Sequence, residues 1–268
     1  MNDFEMLDTG KVPTSKNKYV GIEIEFLTTR GPNIVKLKKL LIEDDLQWNC
    51  NLGSDGSVKD TTFVPKIVMR PHINWRGESE KTPVILNEEE RKWGYELRIL
   101  AQENEAPEIV NRVCDIISEC DGIINTTCGL HVHVDLRNRD YETVYNNMFM
   151  VQNLMFKTQP KSRTTGNKYC RKLIKMFGPK SRAGRYHAIN RAAYKAHRTI
   201  EIRLHEPTLV AKEILMWTGF LIDIANIETK LTKKISVVED LPWLDEKLKG
   251  YLNERIEKYS RKSNTKTA

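Results

Sequence analysis

Three segments of the chain alternate ionisable and apolar residues with a period of two. They are YVGIEIEFL, CGLHVHVDL and TIEIRLHEP, which contain Glu23, Glu25, His131, His133, Glu201, Arg203 and His205. Successive side chains of a strand point to opposite faces, so the ionisable residues of each segment are predicted to share one face of a sheet. Such a face is expensive to build for stability alone. The alternation therefore predicts a sheet with one apolar face and one face that serves binding or chemistry.

Length and composition are those of an ordinary globular protein. The 268 residues are enough for one large domain or two small ones. The longest apolar run, residues 214–222, falls well short of the ~20 residues of a membrane helix, so no membrane span is predicted. Residues 1–18 form a polar leader that matches neither a signal peptide nor a transit peptide. Five cysteines without a C-x-x-C pair then indicate reduced thiols and a cytoplasmic location.

The positive charge is concentrated in one tract. Residues 157–198 contain 13 Lys or Arg and no Asp or Glu, within a net charge of +7 for the whole chain. Such a tract is typical of a solvated face or of a nucleic-acid patch. It also leads directly into the segment with Glu201 and Arg203, which favours a role in holding a polyanion such as ATP. Nucleic-acid binding stays open at this point.

The hydrophobic periodicity predicts an α+β fold, with helices packed on one side of a largely antiparallel sheet. Strands are predicted over residues 19–27, 46–50, 95–100, 186–190 and 199–205, with a strand pair or kinked strand over 123–136. Helices are predicted over residues 33–44, 107–120, 140–157, 211–228 and 244–259. Residues 19–259 are expected to form a single domain, with an elaborated loop or hairpin over 59–93 and a disordered tail over 260–268.

The shared face has the composition of a site for divalent metal and phosphate. Glu23, Glu25, His131 and Glu201 supply carboxylates and an imidazole, and Glu96 of the strand over 95–100 adds another carboxylate. Hard oxygen ligands with one histidine fit Mg²⁺ or Mn²⁺ better than a closed structural zinc site, and Mg²⁺ held by few carboxylates usually bridges phosphates.

Each motif also has an ordinary explanation when it is taken alone. A strand with glutamates on its wet face, a histidine pair in a core and an Arg–Glu salt bridge are all common. Cys128, three residues before His131, is expected to be a buried thiol at a tight turn rather than a nucleophile. The chain has no Walker or Rossmann glycine loop, so a nucleotide is not expected on either.

Six segments, taken in order, resemble the amidoligase family, a compact branch of the carboxylate–amine ligases related to glutamine synthetase and glutamate–cysteine ligase. They are GIEIEF, SDGS, YELRIL, CGLHVHVD, RYHAIN and TIEIRLHEPTL, and the likeness spans about residues 19–227. The resemblance implies the catalytic sheet of glutamine synthetase and an enzyme that uses ATP and Mg²⁺ to form an amide bond.

The resemblance also implies roles for single residues. Glu23, His131 and Glu201 would hold the metal that bridges the ATP phosphates, and Glu25 and Glu96 would hold a second metal near the substrate carboxylate. His133 would contact the nucleotide, and Arg203 would contact the transferred phosphoryl group, so that Arg203, Glu201 and Glu25 carry the catalysis. Substrate or nucleotide binding is implied more loosely for Asp55, Arg163, Arg185, Tyr186 and Asn190.

Two departures from the family pattern leave the substrate open. YELRIL has Arg98 and Ile99 where the family usually continues with Ser-Pro, and residues 59–93 are longer than a minimal linker. The acid and the amine could be small amino-acid or γ-glutamyl compounds or a peptide. The oligomeric state is also open.

Two other functions remain possible from the sequence. A two-metal phosphoesterase or nuclease would use the same Glu/His face, with the basic tract holding a nucleic-acid backbone. A non-catalytic nucleotide-binding relic of the ligase fold would keep the site without the reaction.

Overall fold

The computed structural model describes residues 18–73, 79–85, 87–176 and 185–264. The strands are β1 (Tyr19–Thr29), β2 (Cys50–Ser54), β3 (Ile67–Ile73), β4 (Ser79–Ile85), β5 (Lys92–Gln102), β6 (Leu130–Asp135), β7 (Ile189–Asn190) and β8 (Thr199–His205). The helices are α1 (Pro32–Glu43), α2 (Ala106–Glu119), α3 (Tyr141–Lys157), α4 (Lys161–Thr164), α5 (Ala193–His197), α6 (Ala211–Ala225) and α7 (Glu246–Asn264). Among the described residues, none of the helices combines the length and the apolarity that crossing a membrane requires.

Six of the strands form one sheet in the order β2-β5-β1-β6-β8-β7, and every neighbouring pair is antiparallel. Among the described strands, β3 and β4 pair with each other and not with the six-stranded sheet, as an antiparallel hairpin within the predicted elaborated region. The predicted α+β class and the predicted antiparallel sheet are therefore confirmed.

The sheet alternates as the sequence predicts. Val20, Ile22, Ile24 and Phe26 of β1 are at most 1% exposed, and they join the core formed with the apolar face of β5, β6 and β8. The long helices α1, α2, α3 and α6 supply the other half of this core. Burial of an amphipathic helix face against a sheet is what stabilises both elements. The opposite face of the sheet is left to the ionisable side chains.

The five predicted helices are all present, with ends shifted by at most five residues. Asp140 caps α3 as predicted, since its carboxylate accepts a hydrogen bond from the backbone N–H of Thr143 at 2.8 Å. Residues 260–268 are predicted to be disordered, and this is wrong for residues 260–264, because α7 continues to Asn264. Lys and Arg are good helix formers, and the polar end of α7 continues the helix without an apolar stripe. Residues 265–268, like residues 1–17 of the predicted leader, lie outside the described residues.

Three predicted strands are corrected by the structure. Residues 46–49 form a turn, because the N–H groups of Leu46 and Cys50 bond to the carbonyls of Leu41 and Leu46, and the strand starts only at Cys50. The segment over 123–136 contributes one strand, Leu130–Asp135, and only an isolated bridge from Ile123 to Leu27. The strand over 186–190 is reduced to the two residues of β7.

Candidate metal centre

Six ionisable side chains meet on the polar face of the sheet. They are Glu23, Glu25, Glu96, His131, His133 and Glu201, and none is more than 9% exposed. The antiparallel register aligns them, because Glu23 lies opposite His131, Glu25 lies opposite Glu96, and His133 lies opposite Glu201. Residues directly opposite each other in adjacent strands place their side chains within contact distance. The register therefore brings together residues that are up to 178 positions apart.

Three overlapping groups of these residues have ligand atoms within 4.8 Å of one another. The groups are Glu23, His133 and Glu201; Glu25, Asp55 and Glu96; and Glu23, Glu96 and His131. Glu23 and Glu96 each belong to two groups. The site is thus a continuous chain of potential ligands rather than a set of separate pairs.

The grouping differs in two respects from the one implied by the resemblance. His133, expected to contact nucleotide, lies with Glu23 and Glu201. His131 lies 2.9 Å from Glu23 and 3.7 Å from Glu201, the two residues with which the resemblance groups it, and also 3.6 Å from Glu25. Asp55 joins Glu25 and Glu96 as a third carboxylate. The sequence reasoning did not find Asp55 as a ligand, although the Ser-Asp-Gly-Ser turn was the signal for it.

Asp55 reaches the site because a turn packs tightly onto β5. A Cβ at position 94 would overlap the carbonyl oxygen of Asp55 and the side chain of Val58, so glycine is required there. The carbonyl of Gly94 accepts the N–H of Asp55 at 2.9 Å, and Asp55 Oδ1 accepts the N–H of Ser57 at 2.7 Å. These bonds fix the turn that carries the carboxylate to the edge of the sheet.

His133 and Glu201 are both oriented by neighbours. The Nε2 of His133 lies 3.1 Å from Glu23 Oε1, while its Nδ1 lies 3.0 Å from the hydroxyl of Thr199. Asn190 donates from Nδ2 to Glu201 Oε2 at 2.5 Å. Second partners of this kind set the orientation of metal ligands. Asn190 therefore orients Glu201 and also lines the cleft itself.

Two arginines border the site in different ways. Arg203 lines the cleft, where its Nη1 bonds to Glu201 and its Nε donates to the carbonyl of Tyr169 at 3.3 Å. Arg163 is buried, and its guanidinium donates to the carbonyls of Leu204, Cys128 and Arg203. Arg163 is not among the residues that line the cleft, but its guanidinium lies behind the floor, where its charge lowers the pKa of Glu25.

The cleft above these residues has a volume of about 630 Å³. Its floor is the six ionisable side chains, and its rim includes Arg185 and Tyr186, both exposed. The ring of Tyr186 lies edge-on to that of Tyr169 with centroids 6.0 Å apart. Arg185 and Tyr186, for which the resemblance implies substrate or nucleotide binding, therefore lie at the mouth of the cleft.

His205 and Cys128 lie outside the cleft wall. The ring of His205 packs on Trp217 at 5.1 Å, and its Nε2 lies 3.0 Å from the Tyr251 hydroxyl. The expectation that His205 shares the polar face with Glu201 is wrong, because the β6–β8 register shifts between Leu130 and Val132, at this end of the pair. Cys128 is fully buried, as predicted, and burial raises the pKa of its thiol to about 11.

The electrostatics divide the carboxylates into two kinds. Burial alone would raise the pKa of Glu23, but the charge and hydrogen bonds of His133 and His131 hold it well below its usual range. Burial, with the added charge of Glu23, raises the pKa of Glu96 to about 8. Burial also raises the pKa of Glu25. Glu23 is therefore paired with two histidines, whereas Glu96 pairs with Arg98 at 2.5 Å and lies against the negative charge of Glu23.

Glu96→Gln is expected to stabilise the metal-free protein increasingly as the pH rises from about 5 to 8. The pKa of Glu96 rises from 4.5 to about 8 on folding, so in this window the folded state holds a proton that the unfolded state has lost. The free energy of unfolding of the wild type therefore falls by up to about 1.4 kcal/mol per pH unit from this group, and glutamine removes the fall. Urea unfolding in EDTA at pH 5.5 and 8 measures the difference. Glu119→Gln, at an exposed position of α2, is the control. If the free energy of unfolding of Glu96→Gln, relative to the wild type, fell as the pH rises, the raised pKa of Glu96 would be contradicted.

A scan of protein-family models finds none that matches this chain, and a comparison with curated proteins finds no match either.

Proposed function

We propose that this protein is an ATP- and Mg²⁺-dependent ligase that joins a carboxylate to an amine. The observation that supports this most directly is the pair of ligand groups on one sheet face, one built on Glu23 and the other on Glu25, with Arg203 beside them. The resemblance of six ordered segments to the amidoligase family points to the same reaction.

The donor set fits two divalent cations of the hard type. Glu25, Asp55 and Glu96 offer only oxygen, and Glu23, His133 and Glu201 offer two carboxylates and one imidazole. Oxygen-rich groups with few nitrogens suit Mg²⁺ and Mn²⁺. Burial raises the pKa values of Glu25 and Glu96 in spite of nearby arginines, Arg163 and Arg203 for Glu25 and Arg98 for Glu96. When bound, such ions neutralise phosphoryl oxygens and orient the reacting groups.

The chain's own residues would bind and position the phosphoryl group. Glu201 and the carbonyl of Tyr169 hold the guanidinium of Arg203, and within the described part of the chain its Nη2 remains as a donor for an anion in the cleft. A planar guanidinium held in this way is suited to the charge that develops on a transferring phosphoryl group. Arg185 at the mouth adds positive charge where a polyphosphate would enter.

In the proposed reaction an oxygen of the substrate carboxylate attacks the γ-phosphorus of ATP and ADP leaves, giving an acyl phosphate. The amine then attacks the acyl carbon, phosphate leaves, and the amide nitrogen loses a proton. Acyl phosphates hydrolyse in water, and the burial of the floor residues limits water at the reacting carbon. The reaction needs no nucleophile from the protein, consistent with the buried Cys128.

A two-metal phosphoesterase is the second candidate, and one observation favours it. The basic tract is exposed at five residues, Lys161, Lys168, Arg171, Lys172 and Lys175. The tract also contacts the cleft, because its Tyr169 carbonyl accepts a hydrogen bond from the cleft-lining Arg203. Exposed cations beside a metal site also suit a nucleic-acid backbone.

Product analysis with and without ATP separates the candidates. A ligase is expected to release ADP and phosphate when an acid and an amine are both present, and more slowly with the acid alone. By calorimetry, ATP should bind in Mg²⁺ and at least about tenfold more weakly in excess EDTA, since the ligand groups are mainly carboxylates. Metal-dependent cleavage of DNA or RNA without ATP would replace the ligase with the phosphoesterase, and tight MgATP binding without turnover over a panel of amino acids and peptides would indicate a relic.

A further inference from the structure

A second pocket of about 470 Å³ opens beside the cleft and shares Ser54 and Asp55 with it. It lies where β1 ends and β5 begins. We call it the Trp93 pocket, and the residues that matter here are Arg30, Lys59, Phe63, Arg91, Lys92 and Trp93. Because the two pockets share Asp55, a ligand in the Trp93 pocket lies next to the Glu25, Asp55 and Glu96 group.

Two guanidinium groups stack on the indole ring of Trp93. The Cζ of Arg30 lies 3.4 Å from the ring centroid and that of Arg91 lies 4.4 Å from it. A stacked guanidinium is held in place by the ring while its N–H donors, which lie in its own plane, stay available. Arg91 donates from Nη1 to Glu88 at 3.2 Å. Within residues 18–73, 79–85, 87–176 and 185–264, Arg30 has no carboxylate partner within ion-pair distance.

The acidic residues of the pocket are engaged by other groups. Asp60 accepts the backbone N–H groups of Thr62, Phe63 and Lys92, so its carboxylate holds the loop against β5. Asp55 accepts from Ser57 and faces the other carboxylates of the site. Four cationic side chains, Arg30, Lys59, Arg91 and Lys92, therefore surround a pocket whose two acids are already bonded.

We propose that the Trp93 pocket binds an acidic peptide, with one carboxylate of the peptide paired to Arg30. The pocket's volume lies in the range of roughly 300–1,000 Å³ of sites that enclose ligands larger than a single amino acid. A neighbouring carboxylate of the same peptide would reach the Glu25, Asp55 and Glu96 group as the acid substrate. This last step rests on the proposed ligase function, whereas the binding itself does not.

The pocket favours a peptide over a nucleic acid. Single-stranded nucleic acids bind by stacking bases on open aromatic rings, and the ring of Trp93 is already covered by two guanidinium groups. A peptide can place a carboxylate at Arg30 and neutral backbone elsewhere.

Calorimetry on the full chain, in Mg²⁺ and without ATP, tests the inference with tetraglutamate as the probe and tetraglutamine as the neutral control. Tetraglutamate should bind at least about tenfold more tightly than tetraglutamine, and Arg30→Gln should weaken it by about tenfold, as expected for loss of a charge-assisted pair. Arg112→Gln removes the same charge from a partly exposed position of α2, outside the pocket, and should leave binding unchanged. Trp93→Leu, which removes the ring that holds both arginines, should weaken binding as Arg30→Gln does.

The outcomes separate the pocket from the ligase. The inference would be overturned if Arg30→Gln and Arg112→Gln bound tetraglutamate equally well, or if the wild type bound tetraglutamate and tetraglutamine equally well. It would also be overturned if a short single-stranded oligonucleotide displaced tetraglutamate and lost its own affinity in Arg30→Gln. Peptide binding that depends on Arg30, without any ADP release, would leave the pocket standing and remove the ligase. ADP release with small acids, without peptide binding, would do the reverse.

Discussion

Glu23→Gln is expected to lower ATP turnover by at least ~10³-fold, because Glu23 belongs to two ligand groups at once. Its Oε1 lies 3.1 Å from His133 Nε2 and its Oε2 lies 2.9 Å from His131 Nδ1. A glutamine keeps the shape but offers one acceptor oxygen, loses the charge, and turns an NH₂ group towards one imidazole. Both the ligand groups and the histidines that frame them would be disturbed.

The same variant should destabilise the metal-free protein at pH 7, in contrast to Glu96→Gln. The pKa of Glu23 is held well below its usual range, so its charged form stabilises the fold above the ordinary carboxylate pKa and stops doing so only in acid. Thermal unfolding in EDTA and steady-state ADP release measure the two effects, with the exposed Glu119→Gln as the matched control. Full turnover in Glu23→Gln would remove Glu23 from the centre of the site. A rise in its unfolding temperature would contradict the pairing with the two histidines.

Arg203→Lys is expected to lower turnover by at least ~10²-fold while ATP affinity changes little. Lysine keeps the positive charge but has no planar fork, so it cannot bond Glu201, reach the Tyr169 carbonyl and donate to a phosphoryl group at the same time. A contact made mainly in the transition state affects turnover more than binding.

Single-turnover ADP release and calorimetry with MgATP separate the two quantities for Arg203→Lys. Arg112→Lys, in an exposed ion-pair cluster on α2, is the control for a general effect of arginine loss. If ATP affinity falls as much as turnover, Arg203 acts in ground-state binding. Unchanged turnover would remove it from the reaction.

The sheet and its polar face could be predicted because the period-two pattern is local. The apolar residues on either side of an ionisable residue show that it lies on the opposite face of the strand. This holds for Glu23, Glu25, His131 and Glu201, and the structure brings all four together. The grouping of ligands could not be predicted in the same way. It depends on the registers of β1 with β5 and β6, which are set by contacts between distant segments.

Asp55 and His205 show the two kinds of error in predicting the site from the sequence, a residue that was missed as a metal ligand and one that was wrongly expected on the polar face. Asp55 reaches the site through a turn that packs on Gly94, a contact between segments about forty residues apart that no periodicity records. His205 continues the alternation in the sequence, but the irregularity of β8 before it turns its ring to Trp217 of α6. Tertiary packing at the end of a strand overrides the pattern that holds at its centre.

The alternation in β1 also has a consequence for folding errors. If β1 slipped by one residue against its neighbours, Glu23 and Glu25 would turn into the apolar core, and Ile22 and Ile24 would turn into the cleft. Burying carboxylates among hydrocarbon side chains would disfavour such a mispaired chain by several kcal/mol for each charge. The residues that equip the sheet for chemistry thus also specify the register of β1. Replacing them with apolar residues would make pairing in a shifted register more favourable during folding.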